Sequence, residues 1–202
     1  MKKQIIIING GTTFDKYTDY ISSLKNTKLL KEYFYFGSDW KSTISKRLGE
    51  DFEVLIPRMP NSNNAKFNEW KIWFERLIPF MQNNVVLVGH SLGGIFLAKY
   101  LSTNKIPKSI KAIFLLAAPY DETGLDEILG SFQLPKSLNK LNNSTKSIFL
   151  LQSIDDPIVP KANAYKYHKE LSNAKVIMFK DKGHFNQNQF PELERLIRKL
   201  YV

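Results

Sequence analysis

Six short apolar runs punctuate the chain, at residues 4–8, 52–56, 84–88, 111–117, 147–152 and 175–179. Each is rich in Ile, Val, Leu or Phe and continuous rather than alternating. Alternation would suit a strand with one wet face. A continuous run suits a strand covered on both faces, as in a parallel sheet. Between the runs the apolar spacing turns helical. Residues 38–48, 66–81, 94–102 and 162–171 are the clearest helix candidates, and 190–201 places Leu193, Leu196, Ile197 and Leu200 on one face. Strand–helix alternation predicts an α/β fold: a doubly wound sheet of about six mostly parallel strands with helices on both faces. The 202 residues contain no repeat, low-complexity tract or dividing linker. A single domain over 1–202 is expected.

Two connections exceed the usual length, residues 12–37 and 119–145. Both leave the carboxyl ends of predicted strands, where open α/β sheets bind ligands. The first is an insert rich in aromatics: Phe14, Tyr17, Tyr20, Tyr33, Phe34, Tyr35 and Phe36. It could line an acyl pocket or cover a site, and equally extend the core or an oligomer interface. The second contains a candidate amphipathic helix over 126–132, with Ile128, Leu129 and Phe132 on one side. It reads either as a small lid or as a surface excursion that never touches substrate. In the 66–81 helix, the aromatic stretch 69–74 reads as a packed core face rather than a binding platform.

The 43% hydrophobic content is ordinary for a globular chain, and no apolar run approaches the ~20 residues of a membrane-spanning helix. The four isoleucines at 5–8 are shorter than the ~7–15 residues of a signal-peptide core. They read as a buried first strand, in a protein expected to be cytoplasmic. Without cysteine there is no disulfide and no thiolate metal site. The net charge of +10 comes mainly from scattered lysines. This reads as a solvated surface, not as a nucleic-acid or membrane-binding face. Oligomeric state is left open.

Chemistry enters at Val85-Val86-Leu87-Val88-Gly89-His90-Ser91-Leu92-Gly93-Gly94. An apolar run ends in Gly-x-Ser-x-Gly and passes into a helical pattern. That is the strand–turn–helix context of a nucleophile elbow, which makes Ser91 the candidate nucleophile. A nucleophilic serine needs a base, and the base an orienting acid, in the chain order Ser, Asp or Glu, His. Of the three histidines, His184 follows the last predicted strand and is the candidate base. His90 is locked beside Ser91 in a structural role, and His168 reads as a surface helix residue. For the acid, spacing favours Asp156, before Pro157. Its neighbour Asp155 then becomes an exposed turn residue or a cap, and Asp181 is a third candidate. A developing oxyanion needs fixed donors. The Leu92 N–H is one. Gly11, after the first strand, is the choice for the second, with Thr12 its rival. No metal or organic cofactor is required.

Taken together, Ile8-Asn9-Gly10-Gly11, Trp40, Met59-Pro60, Gly89-His90-Ser91-Leu92-Gly93, Asp155-Asp156-Pro157-Ile158-Val159-Pro160 and Gly183-His184-Phe185 resemble the α/β-hydrolase superfamily. More narrowly, they are similar to its small serine hydrolases of the YdeN and retinoblastoma-binding-protein-nine type. The resemblance implies a compact fold without the first strands of larger members, and the second aspartate of Asp-Asp-Pro as the acid. It also implies hydrolysis of a small carboxylic ester through an acyl-enzyme. The alternatives are a thioesterase, amidase or acyltransferase using the same residues, or a protein-binding module with little turnover. The insert at 12–37 is longer than the corresponding link in that family.

Overall fold

The computed structural model describes residues 2–29, 31 and 39–202. Six strands form one sheet: β1 (Lys3–Ile8), β2 (Phe52–Leu55), β3 (Val85–His90), β4 (Ile110–Leu116), β5 (Ile148–Ser153) and β6 (Ala174–Phe179). Their spatial order is β2-β1-β3-β4-β5-β6, and every pairing is parallel. Parallel neighbours need crossovers. These are supplied by α2 (Ile44–Leu48), α3 (Phe67–Leu77), α4 (Leu92–Thr103), α5 (Asn139–Asn142) and α6 (Ala162–Glu170); α1 (Tyr17–Asn26) precedes α2, and α7 (Pro191–Lys199) closes the chain.

The continuous apolar strands are explained by two cores, one on each face. Successive side chains of a strand point to opposite faces. Ile6 and Ile8 therefore join Leu87, Leu115 and Leu150 under α3, α4 and α6. Ile5 and Ile7 join Val86, Val88 and Phe114 under α2 and α7. All four isoleucines of β1 are fully buried. Helix α4 lies in the middle of its face. It is buried almost all round, as its uniformly apolar sequence requires.

The 12–37 connection contains α1, which buries no residue. Its Phe14 and Tyr17 rings each pack against Tyr20, while Tyr33, Phe34, Tyr35 and Phe36 lie outside the described residues. The helix expected from residue 38 begins as a 3-10 turn at Trp40–Ser42 and becomes α-helical only at Ile44. The helix expected over 126–132 is only a 3-10 turn at Gly130–Phe132. There the Glu122 carboxylate accepts the Leu129 N–H at 2.7 Å and the Thr13 hydroxyl donates to the Ile128 carbonyl at 2.5 Å. The backbone groups that a helix would have used are engaged elsewhere.

Candidate active site

At the carboxyl end of β3 the chain reverses through Ser91 into α4. Ser91 adopts φ 55°, ψ −125°, a region costly for a residue with a side chain. Its N–H donates to the Leu116 carbonyl and its carbonyl accepts from the Gly94 N–H, both at 2.8 Å. The glycines of the elbow are demanded by contact. A Cβ on Gly93 would meet the carbonyl oxygens of Ile8 and Asn9, and one on Gly89 would meet the backbone of Gly93 and Gly94. Helix α4 thus starts in backbone contact with the end of β1.

The loop after β1 comes equally close. A Cβ on Gly11 would lie 2.5 Å from the Ser62 carbonyl oxygen. The rival oxyanion donors separate here. The Thr12 N–H is engaged by that same Ser62 carbonyl at 2.8 Å. The Gly11 N–H has no hydrogen-bond partner among the described residues, nor has the Leu92 N–H, which opens α4 and lacks an intrahelical acceptor. Gly11, Ser91 and Leu92 line one cavity of about 150 Å³ together with residues 125–129 and 157–159. The 119–145 connection therefore reaches the cavity, and its Phe132, Leu138 and Leu141 are built into the core.

Beyond β5, the Asp156 side chain is wholly buried. It accepts the Ile158 and Val159 N–H groups at 2.9 and 3.0 Å and the Gln152 side-chain amide at 3.1 Å. These donors aim it at His184, whose Nδ1 stands 3.1 and 3.0 Å from its two carboxylate oxygens. An ionised carboxylate only accepts, so Nδ1 carries the proton and Nε2 is left as the basic nitrogen. The structure thus joins Asp156 to His184. It does not form the third link: among the described residues Ser91 Oγ has no hydrogen bond to His184. Asp181 is exposed and makes no hydrogen bond to the imidazole.

The His184 backbone is anchored at each successive residue. The Lys182 N–H donates to Ser153 Oγ at 2.9 Å, and the Gly183 N–H to Asp155 at 2.9 Å. His90 Nε2–H donates to the His184 carbonyl at 2.7 Å, and the Trp40 indole N–H to the Phe185 carbonyl at 2.9 Å. Asp155 is therefore more than an exposed turn residue. Ser153 Oγ–H also donates to it at 2.5 Å; that bond, with the Gly183 and Lys182 amides, holds its carboxyl below the ordinary carboxylate range. Burial, with Lys41 and His184 nearby, drives the His90 pKa well below its usual value. His90 is a neutral imidazole fixed as an Nε2–H donor. His168 lies on exposed α6 surface. Ser153 carried no signal in the sequence, and Trp40 entered only through the family resemblance; the need of a buried indole N–H for an acceptor is the one physical hint of its contact.

Glu127, on the cavity wall, has its carboxyl pushed upward by burial, partly offset by His184. Among the described residues no group of three or more His, Asp or Glu side chains is gathered as a metal site, and no helix is long and apolar enough to cross a membrane.

A family model described as serine hydrolase matches residues 37–201. Serine hydrolase RBBP9 of Rattus norvegicus is 26% identical over 174 residues, spanning 80% of this chain and 86% of that protein. The ydeN gene product of B. subtilis superposes with a TM-score of 0.76 at 20% identity over 99% of both chains. The esterase domain of a Rhodothermus marinus protein superposes at 0.61 and 16% identity, over 98% of this chain and 84% of that one. The two superpositions show the same overall fold along nearly the whole chain, and the family match runs through the elbow, the aspartate pair and the histidine loop. On that ground the chain belongs to the serine hydrolase family, as a small α/β-hydrolase of the YdeN and RBBP9 type.

Proposed function

We propose that this protein hydrolyses small carboxylic esters through an acyl-enzyme on Ser91. One observation carries the reading. A serine on a strained elbow shares a cavity with two unengaged backbone donors, Gly11 and Leu92. The neighbouring loop holds an imidazole oriented by a buried carboxylate. As substrate enters, Ser91 Oγ attacks the ester carbonyl carbon and His184 Nε2 takes its proton. Asp156 holds the Nδ1–H and stabilises the imidazolium. The Ser91–His184 hydrogen bond absent from the resting geometry is one that tightens in the substrate complex. The Leu92 and Gly11 N–H groups meet the oxyanion. The C–O bond to the alcohol then breaks, and the alcohol leaves with the proton from His184. A water deprotonated by His184 attacks the acyl-enzyme, and collapse of the second intermediate returns Ser91 and releases the acid.

The cavity supports a short acyl group. A volume of about 150 Å³ is that of a benzene-sized occupant. The test treats the full chain and its Ser91→Ala variant with a fluorophosphonate and locates the adduct by mass spectrometry, alongside hydrolysis of p-nitrophenyl esters of increasing acyl length. The expected result is one adduct at Ser91, lost in the variant, with fastest turnover at two to four acyl carbons. A well-folded chain without an adduct, or a variant as active as wild type, overturns the proposal. Faster turnover of the matching thioester or anilide replaces the ester with that substrate.

A further inference from the structure

Helix α3 divides its aromatic residues between two environments. Trp70 and Phe74 face the core and are fully buried, as the core-face reading requires. The residue between them in that reading, Trp73, is 48% exposed, and nearby Ile72 and Phe80 are 62% and 70% exposed. Trp73 is the exposed tryptophan of a chain whose other two, Trp40 and Trp70, are inside. Positions 73, 76, 77 and 80 follow helical spacing and so share one side. With Pro57 and Arg58 from the loop after β2 they form a groove of about 340 Å³. It shares no lining residue with the Ser91 cavity.

The charge in this groove is specific. The chain has 29 cationic side chains, and only five are arginine. Arg47 is paired with Glu194, Arg198 donates to the Arg47 carbonyl, and Arg195 stands alone beside Glu192 and Lys199 in another surface groove. Arg58 and Arg76 make no ion pair among the described residues, yet both line the aromatic groove. A guanidinium stacks on aromatic rings and matches a carboxylate with a two-pronged fork, which an ammonium cannot do.

We propose that this groove is a binding site for a soluble amphiphilic carboxylate, separate from the hydrolytic centre. The apolar body of the ligand lies against Trp73, Leu77 and Phe80, and its carboxylate meets Arg58 and Arg76. The concave shape of the surface favours a groove-sized ligand over a flat anionic membrane.

Isothermal titration calorimetry of the full chain with dodecanoate, below its micelle concentration, tests the site. Tryptophan emission is read in parallel. Saturable one-to-one binding is expected, with a blue shift of emission that Trp73→Phe abolishes, because the other two tryptophans are already out of water. Arg58→Gln combined with Arg76→Gln should weaken binding about tenfold or more, and dodecyltrimethylammonium should not compete. Unchanged affinity in the double variant, equal binding of the cationic amphiphile, or no saturable heat overturns the proposal. Phe80→Ser is the second variant and should weaken dodecanoate without altering the melting temperature; wild-type affinity there also overturns it. Two other outcomes reassign the face and so overturn it too: co-sedimentation with phosphatidylserine vesicles without dodecanoate binding, or a concentration-dependent dimer that Phe80→Ser dissociates.

Discussion

Ser91 and His184 are positioned by different physics. Ser91 is held by shape. Its turn is squeezed between β3, the end of β1 and the start of α4, and backbone contacts at Gly89 and Gly93 leave no alternative path. His184 is held by hydrogen bonds. Its ring is tied to Asp156, and its loop is tied at four successive residues to Ser153, Asp155, His90 and Trp40. Steric placement is close to all-or-none, because packed backbone has nowhere to move. Hydrogen-bonded placement is graded, because each bond contributes only ~0.5–1.5 kcal/mol net and more when a charge is involved. Damage to the first should appear as lost stability, and damage to the second as lost activity.

The largest expected effect tests the two adjacent aspartates. Asp156→Asn should lower kcat by about 10³–10⁴-fold, because an amide no longer favours the Nδ1–H tautomer. Asp155→Ala loosens the loop without touching the ring, and should lower kcat by about 10–100-fold with KM little changed. Steady-state kinetics on a short ester decide it; equal losses in both variants would erase the distinction between ring and loop.

Gly93→Ala should cost several kcal/mol of stability, about 3 or more, since α4 must shift away from β1. Chemical denaturation measures this, and a cost below about 1 kcal/mol would show that the turn is not sterically locked. Ser91→Gly should have the opposite sign. Removing the side chain from φ 55°, ψ −125° relieves a conformation costing about 1–3 kcal/mol, so an inactive variant with a raised unfolding midpoint is expected.

The smallest effect concerns His90. Its folded pKa lies well below that of the unfolded chain, so the unfolded state binds the proton first as pH falls below about 6.5. The contribution of this residue is full above that pH and declines below it, by up to about 1.4 kcal/mol per pH unit until the folded pKa is reached. Unfolding midpoints from pH 7 to 5 should fall more steeply in wild type than in His90→Gln. Parallel slopes would mean that His90 titrates normally.

Much of this arrangement was legible from residue order. Continuous apolar runs located all six strands, and Gly-x-Ser-x-Gly between a strand and a helix located the turn. Spacing favoured Asp156 over Asp155, and it is Asp156 whose carboxylate meets the His184 ring; the hydrogen bond from Gly183 to Asp155 had no trace in the spacing. The 126–132 helix was misread because apolar spacing is blind to Glu122 and Thr13 taking up its backbone groups. Trp73 was grouped with its buried neighbours because Trp70, Trp73 and Phe74 stand close together in the 69–74 stretch, and only packing against Phe96 and Phe132 selects which side of α3 faces inward.

By itself, the sequence determined what is local: the period of each element, the reversal at Ser91, and the residue types able to accept, donate or move a proton. Those follow from covalent geometry and short-range sterics. Tertiary structure alone decided which distant groups meet. It placed the Ser62 carbonyl on Thr12, leaving Gly11 unengaged; it set Ser153, Asp155, His90 and Trp40 around one histidine loop; and it left Arg58 and Arg76 beside an exposed tryptophan. Such pairings depend on how helices and loops dock across the sheet, and the energy of that docking is spread over the whole core rather than written in any one segment.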